Sequence, residues 1–181
     1  ISQAMSTLKV NALQDTSGNT LSRVLKFQQS TMSQTTVYSN NTTSLVAIDN
    51  KDFVVSGTNT NLLVGIEIHG HMSSGSGDNN FNAQYNVAGG SYTDFNYNTA
   101  NYSSSNGKNM FGNIRGDSRS AGDVTIFTQF LIDGTWNAGQ TINVKLNLIG
   151  ESSFSMNISS QDAQAVRFGR GVSKIFFTEF P

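Results

Sequence analysis

The chain of 181 residues contains no cysteine and one proline, the terminal Pro181. Charged residues make up only 13%, about half of the roughly 25% typical of soluble domains. Without thiols there is no disulfide scaffold, no thiolate metal site and no cysteine nucleophile, although the compartment stays open. A lone C-terminal proline argues against a proline-rich linker or ligand. No apolar run approaches the ~20 residues needed to span a bilayer as a helix. The net charge of -1 and the pI near 6.1 leave no electrostatic footprint for nucleic acid or an anionic membrane. Neither nucleic acid nor membrane insertion is therefore expected among its partners.

Small polar residues stand where charge is missing: 24 Ser, 21 Asn and 17 Thr, beside 17 Gly. All four types compete with helix, so long amphipathic helices are not expected. Disorder is excluded on other grounds, because Leu, Ile, Val and Phe number 45, above the share of about 20% below which chains stay unfolded. At this length one domain with one core is expected. Met5 opens the run Met5-Ser6-Thr7-Leu8-Lys9, which reads like a natural start. Ile1 to Ala4 would then be vector-derived; the alternative is a piece of a longer protein. No charged segment leads into an apolar one, so Sec-type secretion is not expected.

Period-two alternation dominates the pattern. Leu8, Val10 and Ala12 alternate with Lys9 and Asn11, and a turn-rich stretch, Gln14 to Asn19, follows. Short strands are expected over 23–28, 35–39, 45–48 and 53–56. Longer ones are expected over 62–69, 81–87, 124–132, 142–148 and 172–180. Turn signals every 8–15 residues between so many short strands read as an antiparallel β-sandwich of jelly-roll type. Residues 1–25 are expected to form a short extended connector, and 26–181 the sandwich domain.

Catalytic motifs are absent: there is no G-x-S-x-G, P-loop, G-x-G-x-x-G, H-E-x-x-H or EF-hand loop. Three Glu and nine Asp could supply a carboxylate pair for glycoside hydrolysis, but no spacing singles one out. No enzymatic activity is expected and no catalytic residue is assigned. His69-Gly70-His71 is the sharpest local feature, because residues i and i+2 of a strand share a face. One chain offers too few ligands for a tight site. On a threefold axis the pair becomes six nitrogens, suited to an octahedral transition metal. The plainer reading, which we prefer, is two solvated imidazoles at a strand end, with no cofactor.

Residues 81–102 hold four of the five tyrosines, Tyr85, Tyr92, Tyr97 and Tyr102, with Phe81, Phe95 and Asp94 among Asn, Ser and Gly. This mixture resembles paratope composition, with rigid amphipathic area beside adaptable hydrogen bonding. Tyr85, Tyr92, Asp94, Phe95, Tyr97 and Tyr102 are accordingly the candidate ligand contacts; the plain alternative is a tyrosine-rich hairpin packing on its own sheet. Phe176 and Phe177 are adjacent and must point opposite ways along a strand, so one of them could face a neighbouring copy. Arg115-Gly116-Asp117 lies in a Gly/Ser/Asn-rich stretch expected to be a loop. That tripeptide, and sequons at Asn40, Asn41, Asn101 and Asn157, are expected by chance in this composition.

Leu8-Lys9-Val10-Asn11-Ala12-Leu13-Gln14-Asp15-Thr16-Ser17-Gly18-Asn19 resembles the opening of small tail-fibre-like proteins of bacteriophages, of marine-phage type. Ser173-Lys174-Ile175-Phe176-Phe177-Thr178-Glu179-Phe180 is similar to their terminal strand. Thr36-Val37-Tyr38-Ser39 and the late pair around Ile132-Asp133-Gly134 and Ile142-Asn143-Val144-Lys145-Leu146 match their layout. Phe180-Pro181 departs from the family's aliphatic ending, and His69-Gly70-His71 is not one of its features. The resemblance implies a virion protein on the phage surface: a homotrimeric β-sandwich knob that recognises a host-surface glycan or protein. Its N-terminal segment would attach to other virion proteins. The alternatives are a structural virion component, such as a head decoration or adaptor, and a polysaccharide-degrading tail enzyme. Three weak sites on a trimer would gain avidity of about 10²–10⁴ in favourable geometry.

Overall fold

Alternating apolar and polar residues form strands because side chains leave a pleated backbone on opposite faces, so one face can be buried and the other wetted. A computed structural model describes residues 24–32, 37–38, 41–72, 77–95, 112–116, 122–150, 153–157 and 171–181. Its strands are β1 (Lys26–Thr31), β2 (Val37–Tyr38), β3 (Asn41–Val54), β4 (Asn61–Met72), β5 (Gly77–Val87), β6 (Thr93–Asp94), β7 (Gly112–Gly116), β8 (Gly122–Asp133), β9 (Thr141–Gly150), β10 (Phe154–Met156) and β11 (Lys174–Phe180). No helix occurs among the described residues. The stretch 8–12, expected as a strand, lies outside them.

Two antiparallel sheets result. In the first, β4 pairs along its whole length with β8, and on its other side with β11 and then β10. β11 pairs in turn with β1, and β10 with β2. The sheet is thus four lanes wide, with β10 and β11 end to end in one lane and β2 and β1 beside them. The second sheet has the order β3-β9-β5, with β6 and β7 both pairing with β5 on its far side. The sheets pack face to face as a β-sandwich. Phe53 of β3 stacks on Phe177 of β11 at 5.2 Å between ring centroids, and Phe81 of β5 meets Phe154 of β10 edge-on at 5.2 Å.

Period two places the core. Leu62, Val64, Ile66 and Ile68 of β4, Ile142, Val144, Leu146 and Leu148 of β9, and Ile175 and Phe177 of β11 are all buried. Each such side chain contributes about 1.5–3 kcal/mol of transfer free energy. Gly70 continues the inward row of β4, and a Cβ there would lie 2.3 Å from the Phe154 ring. The ring occupies the space that a side chain would need.

The lane shared by β10 and β11 breaks at Asn157, whose φ of 57° is a conformation that Asn tolerates better than most residues. Its side chain stitches the gap, donating to the Met32 carbonyl and accepting from the Ser173 N–H at 2.7 Å. Its own N–H donates to the His69 carbonyl at 2.8 Å. A second lock sits at the end of β11. Glu179 is wholly buried, accepting from the N–H groups of Ser56 (2.8 Å) and Gly57 (2.8 Å) and from the Thr60 hydroxyl (2.8 Å). Thr60 accepts in turn from the indole N–H of Trp136 at 2.9 Å. The connection between β3 and β4 is thereby tied to one carboxylate, and the turn after β8 is tied to that connection.

Candidate functional site

β8 borders β6 where the two sheets face each other along one flank. Phe95, just beyond β6, reaches into the core and stacks on Phe130 of β8 at 4.5 Å. Tyr85 of β5 leans on Phe95 at 5.2 Å. Beside these aromatic contacts lies a cleft of about 370 Å³, lined by Tyr85, Thr93, Asp94 and Phe95 from the second sheet and Leu131, Ile132 and Asp133 from the first. Its size falls within the ~300–1,000 Å³ range of small-molecule sites.

The Asp94 carboxylate itself is turned to the outer face of the second sheet, where Asp94 lies directly opposite Gln84 in the row that continues to Lys145. Asn82 and Gln84 of β5 both donate to one carboxylate oxygen of Asp94, at 3.2 and 2.8 Å. Asn147 of β9 donates to Asn82 at 2.9 Å and to Gln84 at 3.1 Å. Asn82 and Asn147 are buried, so these amides act as a fixed frame and Asp94 is presented in one orientation. Across the cleft, Asp133 ends β8 opposite Asn61 of β4. It is followed by the turn that the buried Trp136 anchors to Thr60.

Of the six candidate contacts, Tyr85, Asp94 and Phe95 come together here. Phe95 is buried and forms the floor, so it shapes the cleft more than it faces a ligand. Tyr92 lies apart, on the outer face of the second sheet. Its hydroxyl donates to Asn143 at 2.6 Å and the Lys145 ammonium sits 3.7 Å above its ring. Tyr97 and Tyr102 lie outside the described residues. Thr93, Leu131 and Asp133 were not singled out from sequence: Asp133-Gly134 reads as a turn, and since β8 pairs with β4, only the packing of the two sheets brings its end beside β6.

The outer face of the first sheet carries a different feature. Phe176 of β11 and Phe127 of β8 flank Gly65 of β4, where a Cβ would touch both rings at 3.5 and 3.8 Å. Phe27 lies 6.5 Å from Phe176 between ring centroids. Leu63 and Leu131, directly paired, extend the strip. Phe27, Phe127 and Leu131 are more than half exposed. The Phe176–Phe177 pair is therefore divided: Phe177 is fully buried against Phe53, and Phe176 alone of the two is on the surface.

His69 and His71 share that same outer face of β4. His69 is already engaged, with Nε2 2.8 Å from Glu67 and Nδ1 2.9 Å from the Thr125 hydroxyl. The neutral tautomer with Nε2–H donating to the carboxylate and Nδ1 accepting from Thr125 satisfies both contacts. A metal would have to displace one of them. Among the described residues, no group of three or more His, Asp or Glu is placed to hold a metal ion. Arg115 and Gly116 belong to β7, correcting the expected loop, because they pair with Asp78 and Gly77 of β5. Asp117 lies outside the described residues.

Comparison of the sequence with protein-family models and with curated proteins gives no match.

Proposed function

We propose that the chain is a phage virion protein of the tail-fibre or appendage type, a jelly-roll knob that binds the host surface through the cleft between β6 and β8. The carrying observation is the convergence of Tyr85, Asp94 and Phe95, separated in sequence from Leu131–Asp133, on one cleft of small-molecule size. Its floor, the buried Phe95 stacked on Phe130, is fixed before any ligand arrives, and such preorganisation lowers the cost of binding. The strand order supports the jelly-roll reading. The chain alternates between the sheets so that β1, β11, β4 and β8 line one and β3, β9, β5 and β6/β7 the other, as two nested Greek keys would.

The proposed homotrimer is supported by the apolar strip on the outer face of the first sheet, which offers Phe176 together with Phe27 and Phe127. A Ser/Thr/Asn-rich, nearly uncharged surface suits a particle exterior, since it stays hydrated without collecting polyions. The N-terminal segment would join the knob to other virion proteins.

Fluorescently labelled protein is the test. It is expected to stain host cells, and gold-labelled antibody is expected to mark the tail or its appendages on intact virions. Staining should fall when a bulky side chain fills the cleft, as in Thr93→Trp. Gold on the capsid with no staining of cells would favour a structural head component and reject the reading.

A further inference from the structure

We infer that the free edge of β8, with the cleft beside it, accepts an added β-strand: an extended segment of a host-surface protein whose backbone pairs with β8 and one of whose side chains enters the cleft. The inference rests on the host-surface reading above and names its partner. β8 pairs with β4 over 12 residues in unbroken register, from Gly122 opposite Met72 to Asp133 opposite Asn61. Among the described residues no strand pairs with its other edge. Apart from the pairing with β4, the backbone of 124–129 and 131–133 makes no hydrogen bond among them. A row of unpaired N–H and C=O groups is a template for another chain, and proteins blunt such edges with charge, proline or a bulge. β3, the long edge of the second sheet, is blunted in this way. It has two register shifts and carries Asp49, Lys51 and Asp52. Its Asp52 and Val54 carbonyls accept from Gln28 and Lys26 of β1, at 2.9 and 2.6 Å. β8 has none of these devices: 124–132 contains no charge and no proline, and its register never shifts.

The cleft lies where the side chains of such a strand would go. Residues directly opposite one another on neighbouring strands share a face of the sheet. A residue added opposite Ile132, which is buried and lines the cleft, would therefore point inward between the sheets. Tyr85 and Thr93 are directly opposed and share the inward row of Val144, and the buried Phe95 closes the floor. The 370 Å³ there is room for one aromatic or branched aliphatic side chain. Strand addition divides recognition in this manner: main-chain hydrogen bonds give affinity, and pockets for alternate side chains give specificity. A glycan has no row of donors and acceptors at strand spacing, so the edge favours a polypeptide. The uncharged run 124–132 calls for an equally uncharged partner, since a charge laid against it would lose water without gaining a counter-ion.

Amide hydrogen exchange by NMR on the full chain decides it, with a short peptide of alternating threonine and valine around one central phenylalanine as the probe. The peptide is expected to slow exchange along β8 and not along β3. Methylating every peptide nitrogen should weaken binding roughly tenfold or more, because several main-chain hydrogen bonds are lost. Thr93→Trp fills the cleft and should weaken binding roughly tenfold with an unchanged circular dichroism spectrum. Equal binding of the methylated peptide, no binding of either, or undiminished binding to Thr93→Trp each overturns the inference. Protection of β8 that is present without peptide and lost on dilution would make the occupant a second copy, and overturns it too. Cell staining separates the two levels. Staining is expected to disappear when the cells are treated with protease. Staining that survives protease and is lost on periodate oxidation of surface sugars keeps host attachment and overturns the inference in favour of a glycan. A lack of staining beside peptide binding removes attachment and keeps the pairing chemistry of the edge.

Discussion

Glu179 shows how much one buried side chain can organise. Burial alone pushes its carboxyl pKa up. The N–H groups of Ser56 and Gly57 and the Thr60 hydroxyl outweigh that, and hold it below the ordinary 4.5. The group titrates lower in the folded chain than in the unfolded one. Its contribution is therefore present above the unfolded value and is lost as pH falls through the folded one. Glu179→Gln sets an amide NH2 against backbone donors and should cost about 1.5–3 kcal/mol at pH 7. Urea midpoints of the two proteins should converge between pH 7 and pH 3; a gap that stays constant would refute this account. The sequence marks Glu179 as the one acidic residue in an apolar terminal run, but its partners lie about 120 positions away and no local pattern finds them. Alternation read Phe176 and Phe177 better, because adjacent strand residues must diverge. It could not say which one faces inward. The stack on Phe53 decides: Phe177→Ala should cost about 3–5 kcal/mol, and Phe176→Ala about 1 kcal/mol or less, in the same urea titration.

At the scale of elements, strands with one clean buried face were legible, and shared or broken ones were not. β4 and β9 follow from period two, whereas β8 and β11 were legible as apolar runs that carry such residues on both faces. β3 was read as two pieces, 45–48 and 53–56, because register shifts beside Val46 and Asp49 break the alternation of one continuous strand. β10 has three residues and is held by its lane partners β4 and β2, a tertiary cause that leaves no periodic trace. The cleft was half legible for the same reason. The β6 side has a composition that stands out, whereas the β8 side is an ordinary strand end. The turn after β5 joins an expected signal to an unexpected strain. Gly89-Gly90 marked it, but Ala88 occupies the left-handed region at φ 51° together with Gly89 at 77°. Gly90 N–H closes the turn on the Val87 carbonyl at 3.0 Å. Two positive φ values in succession favour Asn-Gly, and a left-handed alanine costs about 1–2 kcal/mol. Ala88→Asn should therefore stabilise the chain by about 0.5–1 kcal/mol, read as a raised urea midpoint at unchanged slope. An unchanged or lowered midpoint would show that the turn is relaxed as it stands.

The whole molecule sets a polar face against an apolar one. The outer side of the second sheet carries amides and charges bonded to one another, as in Asn143 to Asp52 at 2.7 Å and Tyr92 to Asn143. The outer side of the first carries Phe27, Phe176, Phe127, Leu63 and Leu131 over the bare backbone of Gly65. Both faces belong to strands of equal regularity, so the difference is one of what each face must meet. A strand length of 12 residues and four lanes give that outer side roughly 700 Å², from about 3.3 Å per residue and 4.8 Å per lane. A standard interface uses about 800 Å² per partner. The strip has the area and the aromatic centre that association between copies requires. Light scattering at micromolar concentration should accordingly give the mass of a trimer. Phe27→Ser with Phe127→Ser removes two rings that are both more than half exposed in the single chain. The melting temperature of the isolated fold should change little. Each ring that becomes buried on association contributes about 1–2 kcal/mol, so the double variant should associate roughly a hundredfold more weakly and elute as a monomer. A wild-type chain that is itself monomeric would leave the strip without the partner proposed for it, and an undiminished trimer in the double variant would place the contact elsewhere on the molecule.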